Sequence, residues 1–358
     1  MKKVTIIGTV GIPAKYGGFE TLAENLVEQL GKKYAFTVYC SAPSYPSNRK
    51  KIYLGARLKY LPIKANGKSS ILYDMLSMMH AAFFADVILV LGVSGAFMIP
   101  IVRQLTTKKI ITNIDGLEWK RAKWSGYAKR YLKWQERIAV RSSHTVVVDN
   151  KGIEDYVLEE YKRPSNLIAY GGDHIFRETL TDRTRQEFNI PDEFAFKVCR
   201  IEPENNIHII LEAFSKSEMN LLLVGNWNNS AYGVGLLEKF AAFDHLHLLH
   251  PIYDQKKLNE LRSNCKFYVH GHSAGGTNPS LVEAMYLGLP IVAFDVDYNR
   301  YTTSGQALYF RTGQDLEKIL DDEVLTIGRL NDIAKQMRKE AVQKYTWKFI
   351  SNAYDNLF

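Results

Sequence analysis

Two tandem α/β domains, each a doubly wound parallel sheet, are what three features of this sequence predict. The chain has 358 residues, enough for two domains that each bury a core of their own. Its first half alternates short β-branched runs with helical patterns, the βαβ rhythm of a parallel sheet, and its second half repeats that rhythm. Hydrophobic residues at 46% and charged residues at 23% fit a packed soluble protein and exclude a disordered or collagen-like chain.

The strands of the first half are expected at residues 4–7, 36–39, 58–61, 87–91, 110–114 and 145–148. Between the first two, Leu22, Leu26 and Leu30 recur at i, i+4 and i+8 and mark one face of a helix. The second set falls at 196–198, 221–224, 246–249, 267–270, 291–294 and 307–310. Between the sets, a strand at Leu167 and Ile168 runs into the turn-rich stretch Tyr170-Gly171-Gly172-Asp173-His174, where the boundary is expected. The domains are then 1–172 and 173–340, followed by a tail segment, 341–358, that reads as helix through Trp347, Phe349, Ile350 and Tyr354.

Cys40, Cys199 and Cys265 are odd in number and far apart, so no disulfide framework or paired metal motif is available and a reducing, cytoplasmic compartment is expected. The apolar run at the start is too short for an export signal. The longest apolar stretch, residues 87–102, is broken by Gly92, Gly95 and Pro100 and falls short of the roughly 20 residues of a membrane span. Charge is divided unevenly. Residues 1–150 hold 23 Lys and Arg against 9 Asp and Glu, a net +14, which leaves −6 for the remainder of a chain whose total is +8. A basic half implies an anionic partner, either nucleic acid or an acidic membrane surface.

Ligands of open α/β sheets bind beyond the carboxyl ends of the strands, so the loops there carry the candidate chemistry. The first loop, residues 8–21, is neither a dinucleotide fingerprint nor a P-loop. Gly17-Gly18 at the start of a helix lets backbone amides approach a phosphate or sugar closely; the plainer reading is a tight turn. The loop Asp115-Gly116-Leu117-Glu118-Trp119-Lys120-Arg121, with Trp124 beyond it, gathers two carboxylates, a guanidinium and two indoles, the groups of a sugar site; a solvated helix start is the alternative. Tyr16, Trp119, Arg121 and Trp124 are the expected acceptor contacts, and Asp115 and Glu118 the candidate catalytic carboxylates. Downstream, Trp124, Tyr127, Tyr131, Trp134 and Ile138 at helical spacing are interleaved with Lys129, Arg130, Lys133, Arg137 and Arg141. Such a stripe is either core-facing or a membrane-surface patch. No helix-turn-helix, zinc-finger or RNP signature favours nucleic acid.

In the second half, Arg200 follows a strand and can fork onto a diphosphate. The most informative segment runs from Gly271 to Pro290. Asn278 suits a helix N-cap, Pro279 the first helical position and Gly288 the stop. Free amides of that first turn, at Ser280 and Leu281, would face a ligand. Glu283, one turn on, is placed to accept both hydroxyls of a ribose, a structural glutamate being the alternative. Three further patterns carry little. Asp295-Val296-Asp297 reads as a loop rather than a metal motif, Ser94 misses the nucleophile elbow at its last glycine, and His245, His247, His250, His270 and His272 read as hydrogen-bonding residues rather than zinc ligands.

Four segments in the right order give the chain its resemblance to a known family. They are Gly11 to Thr21, Asp115 to Arg121, Arg200-Ile201-Glu202-Pro203-Glu204-Asn205-Asn206, and Gly275-Gly276-Thr277-Asn278-Pro279-Ser280-Leu281-Val282-Glu283-Ala284. Together they are similar to glycosyltransferase family 4, in particular its bacterial β-1,4-rhamnosyltransferases. The resemblance implies the GT-B fold, two facing Rossmann-like domains with a C-terminal helix crossing back to the first. It also implies retaining, metal-independent transfer of L-rhamnose from dTDP-β-L-rhamnose to a sugar on undecaprenyl diphosphate, in surface polysaccharide synthesis. The site of action would be the cytoplasmic face of the membrane, with peripheral attachment through the basic half and no nucleic-acid partner.

On this resemblance, Arg200 and helix-terminal amides stabilise the leaving diphosphate, and Asp115 accepts or orients the incoming hydroxyl. Two departures shift roles. The first glutamate of the family's E-x7-E motif is Gly275 here, which passes sugar recognition to neighbours such as Thr277 and Asn278, with Gly276 beside them also expected to contact the donor. Cys199 and Asn205 stand where the phosphate clamp has glycine and lysine, leaving Arg200 as its side-chain cation beside Asn205. A GT-B enzyme using a UDP- or GDP-sugar is the alternative within the class, and a basic nucleic-acid-binding protein the alternative outside it.

Overall fold

Val-, Ile- and Leu-rich runs without polar alternation suit strands covered on both faces, and both sheets are built from them. The computed structural model describes residues 1–15, 17–47, 49–114, 116–121, 124–321 and 325–358. The chain divides into two units, Met1–Gly171 with Trp347–Phe358 and Gly172–Thr346.

The N-terminal unit contains β1 (Lys2–Ile7), α1 (Gly18–Leu30), β2 (Tyr34–Ser41), β3 (Ile52–Tyr53), β4 (Ala56–Leu61), α2 (Ser70–Ala82), β5 (Val87–Leu91), α3 (Met98–Leu105), β6 (Lys109–Asn113), α4 (Gly126–Ser142), β7 (Thr145–Val148), α5 (Lys151–Tyr161) and β8 (Asn166–Leu167). Its sheet order is β3-β4-β2-β1-β5-β6-β7-β8. Every pair is parallel except β3–β4, with Ile6 opposite Val38 on β2 and Leu89 on β5. The short β3–β4 hairpin was not expected from the sequence. It turns on Leu54 and Gly55, both at positive φ, the geometry that matches strand twist in a two-residue turn. Strand order reverses between β1 and β5.

The C-terminal unit contains α6 (Asp182–Phe188), β9 (Ala195–Val198), α7 (Ile207–Phe214), β10 (Leu221–Val224), α8 (Ala231–Phe240), β11 (Leu246–Leu249), α9 (Gln255–Ser263), β12 (Phe267–His270), α10 (Pro279–Tyr286), β13 (Ile291–Phe294), α11 (Asp297–Thr302), β14 (Leu308–Phe310), α12 (Gly313–Asp321) and α13 (Ile327–Lys344). The sheet is wholly parallel, in the order β11-β10-β9-β12-β13-β14, and reverses between β9 and β12.

The last helix, α14 (Trp347–Asp355), belongs to the N-terminal unit. Residues 341–344 still lie in α13, so the returning segment begins at Trp347. Trp347, Ile350, Tyr354 and Phe358 sit one above the next on a single face and are buried in the same core as Val4, Val38 and Leu89. Asn113, at the end of β6, donates to the Tyr354 hydroxyl at 2.9 Å, and the Tyr34 hydroxyl donates to Asp355 at 2.7 Å. A Cβ on Gly171 would lie 2.6 Å from the Trp347 indole, so glycine is required where the chain leaves this unit. Among the described residues, no helix is long and apolar enough to cross a membrane. Tyr354→Ala, which empties a fully buried site, is expected to cost about 3–5 kcal/mol of unfolding free energy, measured by urea denaturation.

Candidate active site

In the C-terminal unit, β9 and β12 are neighbours at the reversal of strand order, so the loops that follow them diverge and open a crevice at their carboxyl ends. The two loops are joined by hydrogen bonds. Asn206 donates to the Gly271 carbonyl at 2.8 Å, and Ser273 N–H donates to the Glu204 carbonyl at 2.8 Å. A Cβ on Gly271 would come within 2.2 Å of the Asn205 carbonyl oxygen, which is why glycine stands there. The Asn205 side chain is buried, donating to the Arg200 carbonyl at 2.8 Å and meeting His272 Nδ1 at 3.0 Å. It braces the turn that presents Arg200, whose side chain is 46% exposed with its nearest carboxylate, Glu202, 3.9 Å away.

Asn278 caps α10 as its sequence suggests, its side chain accepting from Ser280 N–H at 3.0 Å and from Ser280 Oγ at 2.8 Å. Leu281 N–H donates to the Asn278 carbonyl at 3.0 Å. These two amides are therefore not free, a correction to the expectation, and the Leu281 side chain is fully buried. Of the other residues expected at the donor, Gly276 and Asn278 are half-buried and Thr277 is buried.

Glu283 is more tightly held than its sequence indicates. Arg262, buried on α9, donates from Nη1 to Glu283 Oε2 at 2.6 Å, and His174 Nε2 lies 3.3 Å from Oε1. Burial alone would raise the Glu283 carboxyl, but the Arg262 charge and then His174 outweigh it and hold it below the ordinary carboxylate range. Sequence reading missed both partners. Arg262 lies on α9, a separate helix, and its burial against Glu283 reveals its role.

Behind the crevice His270 is buried and kept neutral, first by burial and then by Lys197 and His272. Among the described residues, no three His, Cys, Asp or Glu side chains converge as metal ligands would. Asp295 forms a two-pronged ion pair with Arg300 at 2.5 and 2.9 Å.

In the N-terminal unit the loops after β1 and β5 occupy the corresponding reversal point. The loop after β1 is pinned by two carboxylates of α1: Glu20 accepts from Thr9 Oγ1 and Val10 N–H, each at 2.8 Å, and Glu24 accepts from Ala14 N–H at 2.5 Å. Gly17, at φ 125°, N-caps α1 without a capping side chain, and Gly18 is the first helical residue. The loop after β6 is self-bound. Glu118 accepts from Trp124 Nε1 at 3.0 Å and pairs with Arg121 at 2.9 Å, while Trp119 Nε1 donates to buried Glu136 at 2.9 Å. Tyr16 and Asp115 lie outside the described residues. Ser94, in the loop after β5, donates at 2.5 Å to Asp74, whose carboxyl is pushed up to about 7 by burial.

Residues 180–306 match the family Glycosyl transferases group 1, and residues 1–173 match a domain of unknown function, DUF1972. No curated protein sequence matches significantly. The fold is similar to sucrose-phosphate synthase from Thermosynechococcus elongatus, at 17% identity and TM-score 0.83, covering 100% of this chain and 98% of that one. It is also similar to Anabaena HepE in complex with UDP-glucose, at 13% identity and TM-score 0.79, covering 100% and 99%. A third likeness is to WaaG, a glycosyltransferase involved in lipopolysaccharide biosynthesis, at 14% identity, TM-score 0.72 and 99% of each chain. The chain thus has the α/β GT-B fold, built on two Rossmann-like parallel-sheet domains. With the group 1 match, that fold supports a glycosyltransferase.

Two outcomes follow. Arg262→Ala leaves the Glu283 carboxylate without its buried counter-charge and is expected to destabilise the protein by about 3–5 kcal/mol in urea denaturation. Because the Glu283 carboxyl is lowered on folding, this contribution is complete above the unfolded carboxylate value and is lost as pH falls through the lower folded one. Asp74 has the opposite sign: its carboxyl is raised, so its contribution is full below the unfolded value and is lost as pH rises through about 7. Asp74→Asn should therefore match wild type in acid and exceed it at pH 8 by up to about 4 kcal/mol, read by denaturation across pH.

Proposed function

We propose that the chain is a retaining glycosyltransferase that moves L-rhamnose from dTDP-β-L-rhamnose to a sugar carried on undecaprenyl diphosphate, working peripherally at the cytoplasmic face of a bacterial membrane. The observation that carries the reading is the crevice at the β9–β12 reversal, where an exposed Arg200 and a charge-clamped Glu283 stand at the rims of two joined loops. A nucleoside diphosphate needs those two elements: a cation for the phosphates and a fixed carboxylate for the ribose hydroxyls. The clamp keeps Glu283 ionised, and each of its oxygens retains a lone pair for a ribose hydroxyl.

In the transfer, the bond between the sugar C1 and the diphosphate oxygen breaks and the diphosphate leaves with the electron pair, stabilised by Arg200. The acceptor hydroxyl forms the new bond to C1 on the same face, and its proton passes to the departing diphosphate or to Asp115. Gly276, Thr277 and Asn278 take the sugar ring in place of the missing glutamate at position 275. Gly17, Gly18, Tyr16, Glu118, Trp119, Arg121 and Trp124 belong to the N-terminal loops that would receive donor phosphate and acceptor. Glu118 and Trp119 reach that role through the loop they stabilise, since their polar atoms already hold Trp124, Arg121 and Glu136.

A UDP-sugar donor is the second reading, favoured by the likeness to HepE, which is described in complex with UDP-glucose. Calorimetric titration with dTDP-, UDP- and GDP-sugars separates the two. Selective binding of dTDP-rhamnose is expected, weakened about 10-fold to 150-fold by Glu283→Ala, the loss of roughly 1.5–3 kcal/mol of charge-assisted bonding. A loss under about threefold contradicts the ribose role, and selective UDP-sugar binding supports the second reading.

A further inference from the structure

Helix α2 carries apolar side chains on both faces. Its buried residues are Tyr73, Asp74, Ser77, Met78 and Ala81, whereas Leu72, Leu76 and Met79, continued by Phe83 just past its end, face water. Phe83 is 86% exposed. A helix covering a core in water carries polar residues on its outer face. One exposed leucine is ordinary, but these four follow a helical repeat, and the neighbouring α3 adds Ile101 and Leu105, at 44% and 78% exposure. On the other side of α3 lies α4, which forms a groove of about 600 Å³ with Trp119 and the end of α5. Lys129, Arg130, Arg137 and Arg141 line that groove beside a half-exposed Trp134, with Glu160 as its acid. The acid of α4 itself, Glu136, is buried beneath and accepts from Tyr156 and Tyr161 at 2.6 Å each.

We propose that this face of α2, α3 and α4 seats the N-terminal unit on a bilayer with anionic headgroups. The apolar stripe enters the boundary between headgroups and acyl chains, and the α4 cations hold lipid phosphates. The inference deepens the reading above and rests on it for its purpose, because an acceptor carried on a lipid is met at a bilayer surface. The chemistry favours lipid over the other occupants. Nucleic acid supplies phosphates but nothing for six exposed apolar side chains, and a symmetric second copy would set one basic groove near another.

The test is co-sedimentation of the full chain with phosphatidylcholine vesicles, with or without phosphatidylglycerol. Wild type should partition onto the anionic vesicles at least about tenfold more strongly than onto neutral ones, and less so as salt rises. The double variants Leu76→Asp with Phe83→Asp, and Arg130→Glu with Arg137→Glu, should each lose at least about tenfold in partitioning while donor titration stays within about twofold of wild type. The inference is overturned if wild type ignores vesicles, if either variant binds them as wild type does, or if the apolar variant only converts a dimer to a monomer in sedimentation velocity. Vesicle binding with no nucleotide-sugar binding would uphold this surface and remove the transferase reading instead.

Discussion

A carboxylate kept ionised inside a protein must be matched by a counter-charge, and Arg262 and His174 meet that requirement for Glu283. Arg262 comes from α9, the helix that delivers the chain into β12, so the ion pair ties the element before that strand to the helix after it. His174 approaches from the first residues of the unit, where a Cβ on Gly172 would press within 2.8 Å of the Val282 carbonyl. Pairing of this kind adds little net stability compared with an apolar substitute, so its use here is geometric: it aims a charged group at one place.

The N-terminal unit leaves part of its apolar surface uncovered. Helix α2 buries Asp74 and Ser77 together with Tyr73, Met78 and Ala81, and still leaves Leu72, Leu76, Met79 and the adjoining Phe83 outside. The buried group has a purpose within the fold, since Asp74 holds Ser94 in the loop after β5, beside the strand-order reversal. Its apolar counterpart makes physical sense only against something other than water.

The regular fold was legible because buried parallel strands announce themselves as unbroken apolar runs. The expected runs at 87–91, 145–148, 221–224, 246–249, 267–270 and 291–294 coincide with strands. Strand β4 was legible at 58–61, but its two-residue hairpin partner β3 was not. The motifs around Arg200 and Asn278 located the loops but not their internal hydrogen bonding. Thus Asn205 turned out to be a buried brace, and the amides of Ser280 and Leu281 are engaged by the cap. Arg262 and His174 were invisible because counter-charges come from elements distant in sequence. The α2 stripe escaped for a different reason: periodicity reveals that a helix has an apolar face, but not whether that face points inward.

Amide hydrogen exchange with and without dTDP-rhamnose reports where the donor sits independently of any substitution. Slowed exchange is expected over residues 199–206 and 271–287, the two loops and the helix that carries Glu283. Unchanged exchange in both segments, with protection elsewhere in the chain, would contradict it.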